Sequence, residues 1–589
     1  MPTLNWIGKE KVINHHQDVP YKILEPQYGF ADGVQQSEPN DSGNKIIHGD
    51  NLEALKSLLP EYEGKIKCIY IDPPYNTGNE SWVYNDNVNH PKIKKWLGEI
   101  VGKEGEDLTR HDKWLCMMYP RLKLLKKLLH RDGNLVISLS HHELSSFTLL
   151  CKEIFADRQI VTITVQTSGG KPSGGFNYVH EYLIFIVSND FDPNSLSFAG
   201  GKSRSPFEGL TLATFNKVQR PNQTYPIYVN KNTGKLEGVG KSLNQKIKEG
   251  SYTGNTEDFE YDYNEAPENC VCIWPVTSKG DDCVWRLISD RLISDWEKGY
   301  IKISPNNNKN NKNLYSIQYL PEGVIKKIKK GELEVLNNNS DIPTLDFGEN
   351  KTEGNQIPTI WNEKSFHTVN GTKLLNEIFQ TKTFSYPKPL ELIEEAIRSI
   401  SNVDDIILDS FAGSGTTAHA VLNLNKQDGG NRKFILIEME DYANTITAER
   451  VKRVIKGYGE DNKKTEGTGG SFDYYELGEP LFLEEDILNE SVGIENILKY
   501  IWYSETRTSY NPTHSLVKEN YRIGSKDQTD YYFYYIKDAI TTVDYDFMAK
   551  IKHKASQYII YADNCLLEKD FMLKHHIIFK KIPRDITRF

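Results

Sequence analysis

Leu52, Leu55 and Leu58 recur at helical spacing between two short apolar runs, I-I-H at 46–48 and I-K-C-I-Y-I at 66–71, so strand, helix and strand are predicted from Lys45 onward. Leu115, Met118, Leu122, Leu125 and Leu129 repeat every three or four residues and predict a longer helix, with Lys123, Lys126 and Lys127 on its wet side. Apolar runs at 133–140, 162–165 and 182–188 predict three more strands. The rhythm returns with L-L-N-E-I-F at 374–379, a helix over 389–400, a strand at 405–409, a helix from Thr416 and a strand at 433–438. Strands alternating with helices in this way predict an α/β fold on a parallel sheet.

The interruption is as informative as the rhythm. From 191 to 357 Asn, Gly, Ser and Tyr replace the long apolar runs, and N-N-N-K-N-N-K-N stands at 306–313, which predicts an inserted domain with solvated loops. Residues 1–44 have no steady period and are expected to form an arm. The α/β domain then occupies 45–190 and 358–478, on either side of the insert. An aromatic-rich unit follows over 479–589, where Y-Y-F-Y-Y-I (531–536) and Y-I-I-Y (558–561) read as sheet core.

Composition narrows the class. The 589 residues carry a net charge of −10, with 38% hydrophobic and 26% charged residues, which suits a globular protein and gives no overall attraction to a polyanion. No apolar run reaches membrane-spanning length and the N-terminus lacks a signal-peptide core, so a cytoplasmic protein is expected. The seven cysteines are too sparse for a disulfide framework. Cys270, Cys272 and Cys283 cluster without a clear fourth ligand, so no metal site is expected.

Two constellations carry chemistry. Asp72-Pro73-Pro74-Tyr75 ends the strand at 66–71, where catalytic groups of open α/β sheets sit. Two prolines fix the backbone and present the Pro73 carbonyl beside the Asp72 carboxylate, with an aromatic ring alongside. Two acceptors and a ring suit a planar base with an exocyclic amine: both amine protons are held, and the nitrogen lone pair is turned outward to attack an electrophile. The second constellation, Asp409-Ser410-Phe411-Ala412-Gly413-Ser414-Gly415-Thr416, joins a strand to a helix and brings backbone N–H groups close to a ligand. Glu438 ends the next strand, where a carboxylate can take ribose hydroxyls. The third glycine of a dinucleotide fingerprint and a G-K-[ST] loop are both missing, which leaves a nucleoside ligand without phosphates.

Together D-P-P-Y and F-A-G-S-G resemble the S-adenosylmethionine-dependent DNA amino-methyltransferases, in the permuted order in which the catalytic motif comes first. The resemblance implies a Rossmann-like methyltransferase sheet and methyl transfer to adenine N6, with Asp72 to Tyr75 catalytic. It further implies that Asp50 in H-G-D-N meets the cofactor's adenine, that F-S-Y-P-K-P (384–389) lies against its methionine portion through Lys388, and that His180-Glu181-Tyr182 lines the target pocket. N-T-G after the catalytic motif, I-W-N-E-K-S-F (360–366), F-D-Y-Y-E-L (472–477) and I-W-Y-S-E-T (501–506) are similar to modification subunits of type III restriction systems. That resemblance implies double-stranded DNA as substrate, a homodimer formed through the C-terminal unit, and a helicase-nuclease partner subunit.

On this reading the target adenine is flipped out of the duplex and stacked on Tyr75, under a loop carrying Trp82 and Tyr84. The insert would recognise the site. Residues 201–250 hold nine Lys+Arg against three Asp+Glu and 301–330 hold seven against one, while 251–300 hold four against eleven, so local charge suits phosphate contacts where the total does not. Competing readings are a solitary or type II adenine methyltransferase, an RNA or protein amine methyltransferase, and a catalytically silent DNA-binding scaffold.

Overall fold

A computed structural model of the chain describes residues 4–76, 110–170, 176–198, 206–277, 279–306, 311–331, 333, 335, 342–347, 356–459, 464–484, 487–511 and 521–589. The chain divides into two compact units, Met1–Ala199 with Gln356–Phe589, and Gly200–Asn355.

The larger unit is built on one eleven-stranded sheet. Its strands in chain order are β1 (Lys22–Ala31), β2 (Val34–Gln36), β3 (Lys45–His48), β4 (Ile66–Ile71), β5 (Leu129–Leu139), β6 (Gln159–Gln166), β7 (His180–Val187), β8 (Ile360–Trp361), β9 (Ile406–Asp409), β10 (Lys433–Glu438) and β11 (Ser471–Pro480). Across the sheet they run β8-β6-β7-β5-β4-β9-β10-β3-β11-β1-β2. The stretch β5-β4-β9-β10-β3-β11 is parallel throughout. β7 is antiparallel to both of its neighbours, and β8 again pairs parallel with β6.

Alternation along the strands divides two cores. In β10, Ile435 and Ile437 face a layer that includes Leu55, Leu122, Phe147 and Ile501, while Phe434 and Leu436 face one that includes Leu375, Ile393, Val421 and Val454. Helices Asn51–Tyr62, Arg110–Leu128, Leu144–Ile154 and Ile494–Thr506 cover the first face. Thr368–Phe379, Leu390–Ile400, Thr416–Asp428 and Glu449–Lys456 cover the second. A sheet buried on both faces explains why its strands read as near-continuous apolar runs.

The sequence reading needs correction at its start. Residues 22–36 are not part of an arm: β1 pairs antiparallel with β11 and with β2, extending the main sheet. Register shifts between Lys22 and Leu24 and between Pro26 and Tyr28 break the two-residue period, which is why no strand was legible there. The C-terminal segment forms a four-stranded sheet of Arg522–Lys526, Thr529–Phe533, Gln557–Ala562 and Ile577–Lys581. Its Tyr531, Phe533, Ile559 and Tyr561 join the first core, while Tyr532, Ile560 and Ile577 close a separate one with Val543 and Phe547.

The second unit, Gly200–Asn355, holds small antiparallel sheets. Ile227–Asn230 lies between Leu236–Val239 and Cys270–Ile273, and Thr211–Leu212 pairs with Val284–Trp285. Ile301–Pro305 pairs with Tyr315–Tyr319, which also pairs with Glu208–Gly209. Its core gathers Tyr225, Ile227, Trp285, Leu292 and Ile317. Cys270, Cys272 and Cys283 are buried free thiols in this unit, and burial raises the pKa of each.

Candidate active site

β4 and β9 are parallel neighbours, so the segments leaving their carboxyl ends emerge side by side. One delivers Asp72 to Tyr75 and the other Asp409 to Thr416. A single cleft is lined by Asp72, Phe384, Lys388, Asp409, Phe411 and Gly413, with Ala412 and Thr416 also on its wall. The structure thus brings the two constellations and the F-S-Y-P-K-P segment together, although they lie far apart in the chain.

The glycine loop is held by its own backbone. Gly413 and Gly415 have φ of 53° and 78°, and a Cβ on Gly415 would stand 3.1 Å from the Thr447 carbonyl oxygen. The Asp409 carboxylate accepts from the Phe411 N–H at 2.9 Å and from the Thr417 hydroxyl at 2.5 Å, so it braces the turn from inside. Glu438 Oε2 accepts from the Gly413 N–H at 2.7 Å, which ties the end of β10 to the loop. Burial pushes the Asp409 and Glu438 carboxyls up to about 7 in each case.

Asp72 is fixed by a different set. Lys388 Nζ lies 3.3 Å from Asp72 Oδ1 and 3.0 Å from Glu181 Oε2, hydrogen-bonds the Tyr75 hydroxyl, and stands 4.2 Å from the centre of the Tyr75 ring. The Tyr75 hydroxyl donates to Glu181 Oε2 at 2.7 Å. Asp72 Oδ1 is ion-paired with Lys388 without being aligned for a hydrogen bond, so its acceptor capacity is retained. Burial pushes the Asp72 carboxyl up to about 6, against the opposing pull of Lys388. Burial also works against the Lys388 charge, but the two carboxylates outweigh it and hold its pKa above the ordinary value.

Pro73 and Pro74 are both buried. The Pro74 carbonyl accepts from Trp114 Nε1 at 2.6 Å, and among the described residues no donor takes the Pro73 carbonyl. Ser140 Oγ donates to the Tyr75 carbonyl at 3.3 Å. Asn76, at φ 56°, donates its side-chain amide to Glu143, which His111 Nδ1 meets at 2.7 Å. Trp82 and Tyr84 lie outside the described residues.

Asp50 ends up just after β3, two strands from β9, where it caps the helix Asn51–Tyr62 through the N–H groups of Leu52 and Glu53 at 2.8 and 3.2 Å. Arg121, buried in the next helix, reaches within 3.7 Å of its other oxygen. Two supporting residues were not legible in the sequence, and the role of a third was not. Trp114 carries no motif. Glu181 was read only as part of H-E-Y, without its bond to Tyr75. Arg450 is fully buried behind the glycine loop, donating to Ser414 Oγ at 3.0 Å and Thr416 Oγ1 at 2.7 Å, and nothing in E-R-V-K-R-V distinguishes it from a surface arginine.

An α/β sheet with a glycine loop, an acceptor wall and a buried carboxylate converging at its carboxyl edge is the architecture of an enzyme acting on a nucleotide-like substrate. Residues 66–449 match the family model for DNA methylases, well over half of the chain, and the chain belongs to that family. It is 28% identical over 498 residues to the Mod subunit of the type III restriction-modification enzyme EcoPI of Escherichia phage P1, covering 77% of this chain and 68% of that protein. The Mod subunit of EcoP15I from Escherichia coli is 27% identical over 469 residues, covering 74% of this chain and 64% of that one. The type II methyltransferase M.KpnI of Klebsiella pneumoniae is 28% identical over 424 residues, with 69% and 83% covered. The chain spans about two thirds of the length of the two Mod relatives. Among the described residues no helix is long and apolar enough to cross a membrane.

Proposed function

We propose that this chain transfers a methyl group from S-adenosylmethionine to the N6 amine of an adenine in double-stranded DNA, as the modification and recognition subunit of a type III restriction-modification system. The observation that carries the reading is the meeting of Asp72 and the Phe411–Gly415 loop in one cleft. The likeness to Mod subunits over about three quarters of the chain supports the system. A homodimer and a helicase-nuclease partner, which the sequence resemblance implies, belong to the proposal.

The residues present fit the cofactor. Glu438 meets the loop where ribose hydroxyls could replace or join the Gly413 N–H, and Phe411, Ala412 and Thr416 wall the cleft. Asp50 would face the adenine end, and Lys388 the carboxylate of the methionine end. When bound, S-adenosylmethionine supplies the electrophilic methyl group.

The rest is done by the chain. A flipped adenine presents its amine to Asp72 Oδ1 and the Pro73 carbonyl, each accepting one N–H. Those bonds draw the nitrogen lone pair out of conjugation with the ring and aim it away from the wall. Glu181 holds the Tyr75 hydroxyl and so orients the ring on which the base stacks. Positioning the two reactants supplies most of the rate. Expression in a methylation-free host followed by mapping of N6-methyladenine tests the reading; wild-type protein that binds the cofactor but leaves adenine unmodified overturns it.

A further inference from the structure

The Gly200–Asn355 unit carries a concavity free of carboxylates in this acidic chain. It is lined by Phe215, Gln219, Arg220, Asn222, Gln223 and Ile288, together with Pro221, and none of these is acidic. Gln219, Arg220 and Asn222 are exposed. Of the three arginines described in this unit, Arg291 pairs with Asp295 and Glu322, whereas Arg220 and Arg286 have no carboxylate partner among the described residues. Arg220 lies on this wall, and Gln223 Nε2 beside it donates to the Arg286 carbonyl at 3.0 Å.

The wall is rigid. Asn216 Oδ1 accepts from the N–H groups of Val218 and Gln219 at 3.1 and 3.0 Å, and a 3₁₀ turn at Pro221–Gln223 follows. The turn is anchored in the core just behind it: the Tyr225 hydroxyl donates to the Leu287 carbonyl at 2.9 Å, and Trp285 Nε1 to the Tyr225 carbonyl at 2.7 Å. On that base the Arg220 guanidinium is placed 4.1 Å from the Phe215 ring centre and donates to Gln223 Oε1 at 3.2 Å. Asn222 is held by the Asn244 side chain at 2.7 Å.

An exposed guanidinium oriented by a ring and an amide has lost much of its rotamer freedom before any ligand arrives. Amide and guanidinium groups displayed without carboxylates are also the groups that pair bidentately with adenine and guanine edges in the major groove. A structural surface arginine would be expected beside a carboxylate, as Arg291 is. We infer that the Phe215–Gln223 turn is a base-reading surface, with Arg220 recognising a guanine of the target site and Gln219 and Asn222 adjoining it. The inference deepens the proposed activity and rests on it for the meaning of "target site".

Binding selection from a randomised duplex pool, run on the full chain with wild type, Arg220→Ala and Arg220→Lys, tests this separately from methyl transfer. Arg220→Ala is expected to lose the preference at one guanine while keeping the remaining positions, with cognate affinity about ten- to a hundredfold weaker. Arg220→Lys is expected to recover only part of it, because the ammonium cannot make the forked contact. An unchanged consensus overturns the inference. So does equal weakening on every sequence with a salt dependence reduced by about one contact, which is the signature of a phosphate anchor. Cofactor binding retained by both variants excludes misfolding as the cause. If wild type selects a consensus yet makes no N6-methyladenine, the activity falls and the reading surface stands; if it methylates one motif and Arg220→Ala methylates the identical motif, the reverse holds.

Discussion

Lys388 Nζ stands 3.3 Å from Asp72 Oδ1 and 3.0 Å from Glu181 Oε2, so a single largely enclosed ammonium is shared by the Asp72 carboxylate and the residue that holds Tyr75. The two partners act on Asp72 with opposite sign: Lys388 lowers its pKa and Glu181 raises it. Asp72 must be ionised to accept strongly from an amine, so transfer should fall as pH drops through about 6. Glu181→Gln removes the repulsion and should move this acid limb down, while Lys388→Met removes the attraction and should move it up, each by roughly one unit. Single-turnover methyl transfer against pH measures both. Limbs that coincide in all three proteins would show that another group controls the profile.

Asp72→Asn keeps the shape of the side chain but replaces one acceptor oxygen by a donor facing the amine. Transfer should drop by about 10³-fold, within the span of 10²–10⁴ usual for a positioned acid–base group. Cofactor affinity should change by less than about threefold, because the cofactor motif lies on the neighbouring strand. Calorimetric titration with S-adenosylhomocysteine separates the two effects, and a parallel loss of binding would relocate Asp72 to the cofactor site.

Gly415→Ala introduces a Cβ at φ 78° and 3.1 Å from the Thr447 carbonyl oxygen. Backbone strain of about 1–2 kcal/mol is expected from the left-handed conformation alone. Thermal unfolding should shift down by a few degrees, and cofactor affinity should fall further than stability does, since the shifted segment is the loop itself. A variant that melts lower but binds normally would show that the loop relaxes without touching the ligand.

Most of the architecture was legible because burial on both faces forces apolar runs: β10 was predicted over the residues it occupies, 433–438, and the helix Thr416–Asp428 starts where the glycines end. β1 was illegible because two register shifts and Pro26 hide its period. At the site, sequence spacing located residues that line the cleft, since backbone turns demand particular residue types. It did not reveal what supports them. Trp114 behind Pro74, Arg450 behind Ser414 and Glu181 behind Tyr75 come from elements that only the fold brings near, and a long-range contact leaves no local period. Asp50 shows the converse: its place after β3 was readable, but not its use as a helix cap.

Asp409 offers a test of what this pre-built loop costs. Burial pushes its carboxyl up to about 7, so between about 4 and 7 the folded chain holds a proton that the unfolded chain has already released. That contribution to stability is therefore greatest at low pH and is lost as pH rises through the window. His16 and His419, kept neutral by burial, act in the opposite direction over part of the same range, because the unfolded chain protonates them first as pH falls. The overall melting curve mixes these effects, and a difference isolates Asp409. Asp409→Asn can still accept from the Phe411 N–H and can donate to the Thr417 hydroxyl in place of accepting from it, so the titration is removed with both contacts kept. Its stability relative to wild type should rise between pH 5 and 7.5, reaching a few kcal/mol at the upper end, as read by chemical unfolding of the ligand-free proteins at each pH. A difference that stays flat would mean the buried carboxylate is ionised at little cost, with the Thr417 and Phe411 bonds sufficient to hold its charge.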